Sequence, residues 1–397
     1  MRVLLFTGKG GVGKTTAAAS AAVLAARRGV KTLVLSTDGA HSLADALGVS
    51  LGPEPTEVEP GLFAMQVDTQ RRLEQTWRRV QEHLLGVLER SGVDPMEAEE
   101  LTVLPGADEV LALLAVRDHV ASGRFDAVIV DCAPTAETLR LLALPEALAW
   151  YMQRVFPAHR RVARALSPLL SRATGFGAPP DEVFDAVERL HAELGEVRAL
   201  LTDPVTASVR LVLTPEVVVV AEARRTLTAL ALHGYRVDEV VANRVIPAGG
   251  TDPWRARWAA AQAGQLDEVR GSFSGLPLRV VSYRPVEPVG PDELAAVAAE
   301  TYGDDDPLAL APVADENLRV ERTVDGFRLS LALPFAGRDE LRLGRVGDEL
   351  VVTVGAQRRV LVLPSALRRC TVSGAALRDG RLAVDFTPDP ALWMGVP

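Results

Sequence analysis

The sequence predicts an α/β fold: a parallel sheet flanked by helices, carrying a helical insertion subdomain and followed by a small all-β sandwich. Three observations carry that reading. A glycine-rich loop lies between an apolar run and an alanine-rich run at the start of the chain. Two later apolar runs each lead into an aspartate, Asp38 and Asp131. Beyond residue 316 the hydrophobic repeat changes to a period of two, the signature of short half-buried strands.

The first element is Arg2-Val3-Leu4-Leu5-Phe6, of strand length and composition. It runs into Gly8-Lys9-Gly10-Gly11-Val12-Gly13-Lys14-Thr15-Thr16, which fits the phosphate-loop pattern G-x-x-x-x-G-K-[ST] at Gly8, Gly13, Lys14 and Thr15. Ala17 to Ala26 follows as a helix-forming stretch, so the context is strand, loop, helix. Gly10, Gly11 and Gly13 let backbone N–H groups turn toward phosphate oxygens, and the helix N-terminus adds its positive end. Lys14 is expected to reach the β- and γ-phosphates of a nucleoside triphosphate, and Thr15 to ligate magnesium. Composition agrees. Of 43 basic residues only Lys9, Lys14 and Lys31 are lysines, and two of them fall in this loop. An ammonium is a compact point charge that suits a tight phosphate cradle better than a guanidinium fork.

Val30 to Leu35 reads as a second buried strand, with Asp38 just past its end. Phe125 to Val130 reads as a third, ending at Asp131. Ligands gather at the carboxyl ends of strands in open α/β sheets. Asp131 is the natural magnesium-side carboxylate, partly through water, which leaves Asp38 to orient an attacking water.

Three strings, Gly8 to Thr16, Ser36-Thr37-Asp38-Gly39-Ala40-His41-Ser42-Leu43 and Asp131-Cys132-Ala133-Pro134-Thr135-Ala136-Glu137-Thr138-Leu139-Arg140-Leu141-Leu142, resemble the arsenite-pump ATPase family (ArsA), in the family's order. That family includes the targeting ATPases for tail-anchored membrane proteins. The resemblance implies a phosphate-loop NTPase sheet with ATP and Mg2+ as ligands. It implies that Lys9, the mark of a deviant phosphate loop, crosses a homodimer interface to the partner's nucleotide. It makes Asp38 the water-positioning and magnesium-side residue and puts Asp131 in the second switch. Leu211-Val212-Leu213-Thr214-Pro215-Glu216 is similar to the segment whose glutamate contacts nucleotide. Val240-Val241-Ala242-Asn243 is similar to the strand whose asparagine reads adenine, and Pro285 lies in the expected adenine-side loop. The chain departs from the family at Gly39, where proline is usual, and at Ala136 and Glu137, where glycine and histidine are usual.

Two insertions are expected, at about 66–120 and 145–202. Gln66 to Leu88 repeats Leu73, Trp77, Val80, Leu84 and Leu88 at helical spacing. A second helix follows Pro105 with Val110, Leu113, Leu114 and Val116. Pro145 to Leu201 reads as more helix, with a stripe of Val183, Val187, Leu190, Leu194, Val197 and Leu201 and basic residues such as Arg160, Arg161 and Arg164. By resemblance the insertions move with nucleotide state and hold a client helix. On residues alone, each stripe serves equally to pack on the ATPase core. A hydrophobic or membrane-protein helix as client gains nothing from composition, because the chain has only 5 methionines.

The ATPase domain is expected over 1–303, closing with a helix from Pro291 to Thr301. Gly303-Asp304-Asp305-Asp306-Pro307, with Pro312 and Asp315 beyond, reads as a linker over 304–315. Residues 316–390 then alternate, as in Phe327, Leu329, Leu331 and Leu333, or Leu350, Val352 and Val354, or Leu382, Val384 and Phe386. Val324 to Phe335, Gly347 to Val352, Val362-Leu363-Pro364 and Leu377 to Val384 resemble an α-crystallin (small heat-shock) domain. The tail lacks the paired-isoleucine assembly motif, so large oligomers are not expected.

Bulk properties exclude other classes. A net charge of −9 leaves no electrostatic footprint for nucleic acid. No apolar run is long enough for direct membrane insertion, and the first strand starts at once, which reads as a chain without a leader. Cys132 and Cys370 are too few and too far apart for an arsenite thiol cluster or a C-x-x-C zinc site, so no zinc is expected. Two scattered thiols suit the cytoplasm. The resulting expectation is a cytoplasmic, magnesium-dependent ATP hydrolase acting as a nucleotide-switched homodimer on a protein client. The alternative is a nucleotide-locked scaffold with little turnover, and the least favoured reading is an anion-pump motor.

Overall fold

The computed structural model describes residues 1–38, 42–67, 107–133, 181–249, 251–311 and 317–392. The larger body is built on eight strands: β1 (Arg2–Thr7), β2 (Thr32–Ser36), β3 (Thr56–Glu59), β4 (Leu62–Gln66), β5 (Ala127–Asp131), β6 (Ala207–Leu213), β7 (Val237–Val245) and β8 (Leu278–Ser282). Their order is β3-β4-β2-β5-β1-β6-β7-β8. All neighbours are parallel except the edge pair β3 and β4. β1, β2, β5 and β6 are buried along their whole length, which is why they read as unbroken apolar runs rather than alternating ones.

Seven helices flank this sheet among the described residues: α1 (Lys14–Arg27), α2 (Ser42–Leu47), α3 (Ala107–Ala121), α4 (Asp181–Thr202), α5 (Val217–His233), α6 (Pro253–Ser272) and α7 (Pro291–Tyr302). α1 starts at Lys14, earlier than the alanine run, because the N–H of Ala17 already donates to the Gly13 carbonyl at 3.0 Å. The two sheet registers that matter most meet at one point. Asp131 lies beside Phe6 on β1 and beside Ser36 on β2, so the ends of three strands converge under the glycine loop.

Two expectations are corrected. Gln66 does not open a helix; it closes β4, which is paired in parallel with β2 and buried at Leu62, Ala64 and Met65. The run was too short to separate strand from helix by period. The rest of that expected helix, including Leu73 to Leu88, lies outside the described residues, as do Pro145 to Pro180. The inner turns of the insertions pack on the sheet: Leu111 to Val116 on α3 and Leu194, Val197 and Leu201 on α4 are buried in the main core. The linker expected from 304 is a strap as far as 311. Arg28 donates to the Gly303 and Asp305 carbonyls, Arg2 to that of Leu308, Arg210 to that of Ala309 and Arg236 to that of Ala311. Leu308 is buried in the main core. Acidic and proline-rich composition concealed this because the fixing groups come from four distant parts of the chain.

The smaller body is a β-sandwich of seven strands: β9 (Leu318–Arg322), β10 (Phe327–Ala332), β11 (Leu341–Val346), β12 (Glu349–Val354), β13 (Gln357–Val362), β14 (Cys370–Arg378) and β15 (Arg381–Pro388), with a short helix α8 (Ser365–Arg368). One sheet runs β14-β15-β10-β9 and the other β11-β12-β13, antiparallel throughout. The alternating residues Leu329, Leu331 and Leu333, Leu350, Val352 and Val354, and Leu382, Val384 and Phe386 are its core. Leu232, from α5 of the larger body, is buried among them. Around it, Arg359 donates to the Leu232 carbonyl (2.5 Å), Asn317 to that of Ala231 (2.7 Å), and Thr228 to that of Pro334 (2.5 Å). Phe273 of the larger body and Phe335 of the sandwich meet edge-on, with centroids 5.8 Å apart.

Candidate functional site

The glycine loop turns at Gly11 (φ 82°) and Gly13 (φ 91°), both in the left-handed region that side chains disfavour. Space enforces the same choice. A Cβ on Gly13 would fall 2.2 Å from Asn243 Nδ2, and one on Gly8 would fall 2.1 Å from the Val212 carbonyl oxygen. Gly13 offers no side chain to cap α1, so the first N–H groups of the helix, at Lys14, Thr15 and Thr16, have no intrahelical acceptor and no cap. That is the arrangement of an anion site at a helix N-terminus.

Asp131 is fully buried at the end of β5. Its Oδ2 accepts from Thr15 Oγ1 at 2.8 Å and from Ser36 Oγ at 3.2 Å, while its Oδ1 has no hydrogen-bond partner among the described residues. Burial pushes its carboxyl up to about 6 despite these donors and the nearby ammonium of Lys14. Lys14 itself is only 7% exposed. A buried carboxylate oxygen without a donor, next to a threonine hydroxyl, fits a hard divalent cation or its water shell. Asp38 is fixed by its backbone: its N–H donates to Ser36 Oγ (3.2 Å) and its carbonyl accepts from Gln66 Nε2 (2.6 Å). It is close enough to Asp131 to raise that carboxyl further. Thr37 joins the two strand ends, donating from its N–H to the Asp131 carbonyl and accepting from the Ala133 N–H. Gly39, Ala136 and Glu137, where the chain departs from the family pattern, lie outside the described residues.

On the other side of the loop is a cleft of about 860 Å³. Lys9, Gly10, Gly11 and Val12 line it together with Glu216, Arg244 and Pro285. The structure thus brings the expected nucleotide-side residues together, with Glu216 accepting from Thr214 Oγ1 at 3.1 Å. Lys9 is half-exposed, its Nζ 3.7 Å from Glu222 on α5. Asn243 is placed differently from its expected adenine-reading role. It is only 8% exposed, its Nδ2 donates to the Val12 carbonyl (2.9 Å) and its Oδ1 accepts from the Arg244 N–H (2.9 Å). It braces the loop from below. Arg244, held at φ 56°, donates to the Gly11 carbonyl at 2.8 Å. Sequence reasoning missed Arg244, and with it Trp254 and Trp258 at the same cleft, which Tyr283 of the expected adenine-side loop also lines. The only signal for the first three was position, near the end of β7.

Residues 1–303 match the anion-transporting ATPase family, and residues 324–386 match the HSP20-like domain found in ArsA. The chain is 42% identical over 395 residues to an uncharacterised protein of Streptomyces coelicolor, covering 99% of each. It is 37% identical over 390 residues to a candidate arsenical pump-driving ATPase of Chlorobaculum tepidum, covering 97% of this chain and 96% of that one. It is 30% identical over 241 residues to the ATPase GET3 of Rhodotorula glutinis, covering 60% of this chain and 68% of that one.

Proposed function

Because the chain belongs to the anion-transporting ATPase family, we propose that it hydrolyses ATP with magnesium and works as a nucleotide-switched homodimer on a protein client. The observation that carries this reading is the grouping of Lys14, Thr15 and Asp131 at the glycine loop, with one buried carboxylate oxygen that no described residue donates to. Thr15 and Asp131, with Asp38 through water, would hold magnesium. When bound, the ion supplies positive charge to the β- and γ-phosphate oxygens.

The chain's own groups do the rest. The uncapped N–H groups of Gly10, Gly11, Gly13, Lys14, Thr15 and Thr16 bind the phosphates, with Gly8 and Val12 shaping the bend. The Lys14 ammonium is held beside the γ-phosphate by burial. Asp38 orients the attacking water from a backbone pinned by Ser36 and Gln66. Lys9 leaves Glu222 and reaches the partner's nucleotide when two protomers close, so the switch is dimeric. Glu216 and Pro285 face the sugar and base. Among the described residues there is no group of three or more His, Cys, Asp or Glu side chains placed to hold a metal ion. Likewise no described helix is long and apolar enough to cross a membrane.

The test is turnover and assembly together. Purified protein should hydrolyse ATP with magnesium; Asp38→Asn should drop turnover by at least about 10²-fold while retaining ATP binding by calorimetry. Lys9→Ala should stay monomeric on sizing with ATP, where the wild type dimerises. Turnover at background even after ATP binding is shown, or a dimer unmoved by Lys9→Ala, overturns the reading.

A further inference from the structure

Two successive residues near the end of β7 hold two successive carbonyls of the glycine loop. Asn243 Nδ2 donates to the Val12 carbonyl (2.9 Å), and the Arg244 guanidinium donates to that of Gly11 (2.8 Å). A trans peptide unit is planar, and its C=O and N–H point opposite ways. Holding these carbonyls therefore sets both peptide planes that flank Val12. It turns the N–H groups of Val12 and Gly13 away from the side chains that do the holding. Gly11 and Gly13 have no side chain to restrict them, and glycine loses the most conformational freedom on being fixed. A loop pinned before the ligand arrives leaves less of that freedom for binding to remove.

Arg244 does this from a backbone that its own side chain disfavours. Its φ is 56°, in the left-handed region, and such a residue persists only where its surroundings over-determine it. Two contacts do so. Asn243 Oδ1 accepts from the Arg244 N–H (2.9 Å), and Gln262 Nε2, from α6, donates to the Arg244 carbonyl (3.2 Å). Gln262 Oε1 also accepts from the Ile246 N–H (2.7 Å), so one amide grips the chain on both sides of Val245. Gln262 is itself fixed. It is 6% exposed, the next turns of α6 bury Leu266 and Val269 in the main core, and Asp252 caps the helix. The Arg244 side chain is exposed, so its bond to Gly11 adds nothing to the core. Resting on the reading that the loop binds a triphosphate, we propose that Gln262 and Arg244 are positioning residues for the phosphates. Gln262 holds Arg244 in its left-handed turn, and Arg244 in that turn sets the aim of the loop. Gln262 acts only through main-chain atoms of β7 and the residue after it.

The experiment measures MgATP and magnesium tripolyphosphate binding by calorimetry on the full chain, with a denaturation midpoint for each variant. Glycine accepts the left-handed turn, so Arg244→Gly should hold or raise the midpoint. It should nonetheless weaken both ligands by about five- to fifty-fold. A purely structural role would move affinity and midpoint together. Arg244→Lys still offers a donor to the Gly11 carbonyl and should recover most of the loss. Gln262→Met should weaken both ligands too, and the double variant should lose no more than Arg244→Gly alone. Where Gln262→Met folds poorly, Gln262→Glu, which keeps the acceptor for Ile246, takes its place. Tripolyphosphate affinity unchanged in Arg244→Gly, no recovery in Arg244→Lys, or losses that add in the double variant each overturn the proposal alone. Wild type that binds neither ligand overturns the phosphate reading, and this one with it.

Discussion

The two ends of α5 sit in contrasting surroundings. At its C-terminal end Leu232 is buried in the sandwich, and side chains of Arg359, Asn317 and Thr228 close the seam by donating to main-chain carbonyls. At its N-terminal end Glu216 borders an open cleft, and Glu222, further along the helix, meets Lys9 through a half-exposed pair at 3.7 Å. Partners at the first end are backbone atoms that cannot leave; those at the second are side chains that can. One end is closed by main-chain acceptors, the other by a pair of part-solvated side chains.

Three perturbations sharpen or break that contrast. The largest effect is expected at the closed end. Leu232→Ala removes a fully buried side chain and should lower stability by roughly 2–5 kcal/mol in chemical denaturation, with ATP affinity unchanged. An equal fall in affinity would show that the ends are not separable.

The next effect is at the floor of the site. Burial raises the Asp131 carboxyl from its ordinary value of 3.8 to about 6, so between those values the folded chain binds a proton that the unfolded chain has released. Nucleotide-free stability should therefore be present below about pH 4 and decline as pH rises through about 6. Asp131→Asn should flatten that slope and raise nucleotide-free stability at pH 7.5 by about 1–3 kcal/mol, while abolishing the added stability from MgATP. A melting series across pH 4–8 decides it, and a slope that survives Asp131→Asn would mean other groups set it.

The smallest effect is at the exchangeable pair. Glu222→Gln should change stability by no more than about 1 kcal/mol, because both side chains are part-solvated. A larger loss would mean that Lys9 is held rather than released.

What was legible in the sequence was local. The glycine loop, Asp38 and Asp131 were readable because each lies within a few residues of the strand that places it. The sandwich was readable because period-two burial is written along single strands such as Leu329 to Leu333. What was hidden was set by packing between distant segments. Asn243 was singled out, but its brace on Val12 depends on the approach of β7 to the loop. Trp258 had no motif, since only the staple from Gln262 to β7 turns that face of α6 onto the cleft. The strap over residues 304–311 carries a linker's composition, yet arginines at positions 2, 28, 210 and 236 hold it down.

The length of α5 has a mechanical consequence. Seventeen residues of helix span about 25 Å at a rise of 1.5 Å per residue. A rigid rod of that reach works as a lever: rocking it by about 5° at its Val217 end would sweep the Leu232 end through about 2 Å. The turn after β10 and strand β13 are latched to that tip through Pro334 and Arg359, so the sandwich would travel with it as a single load.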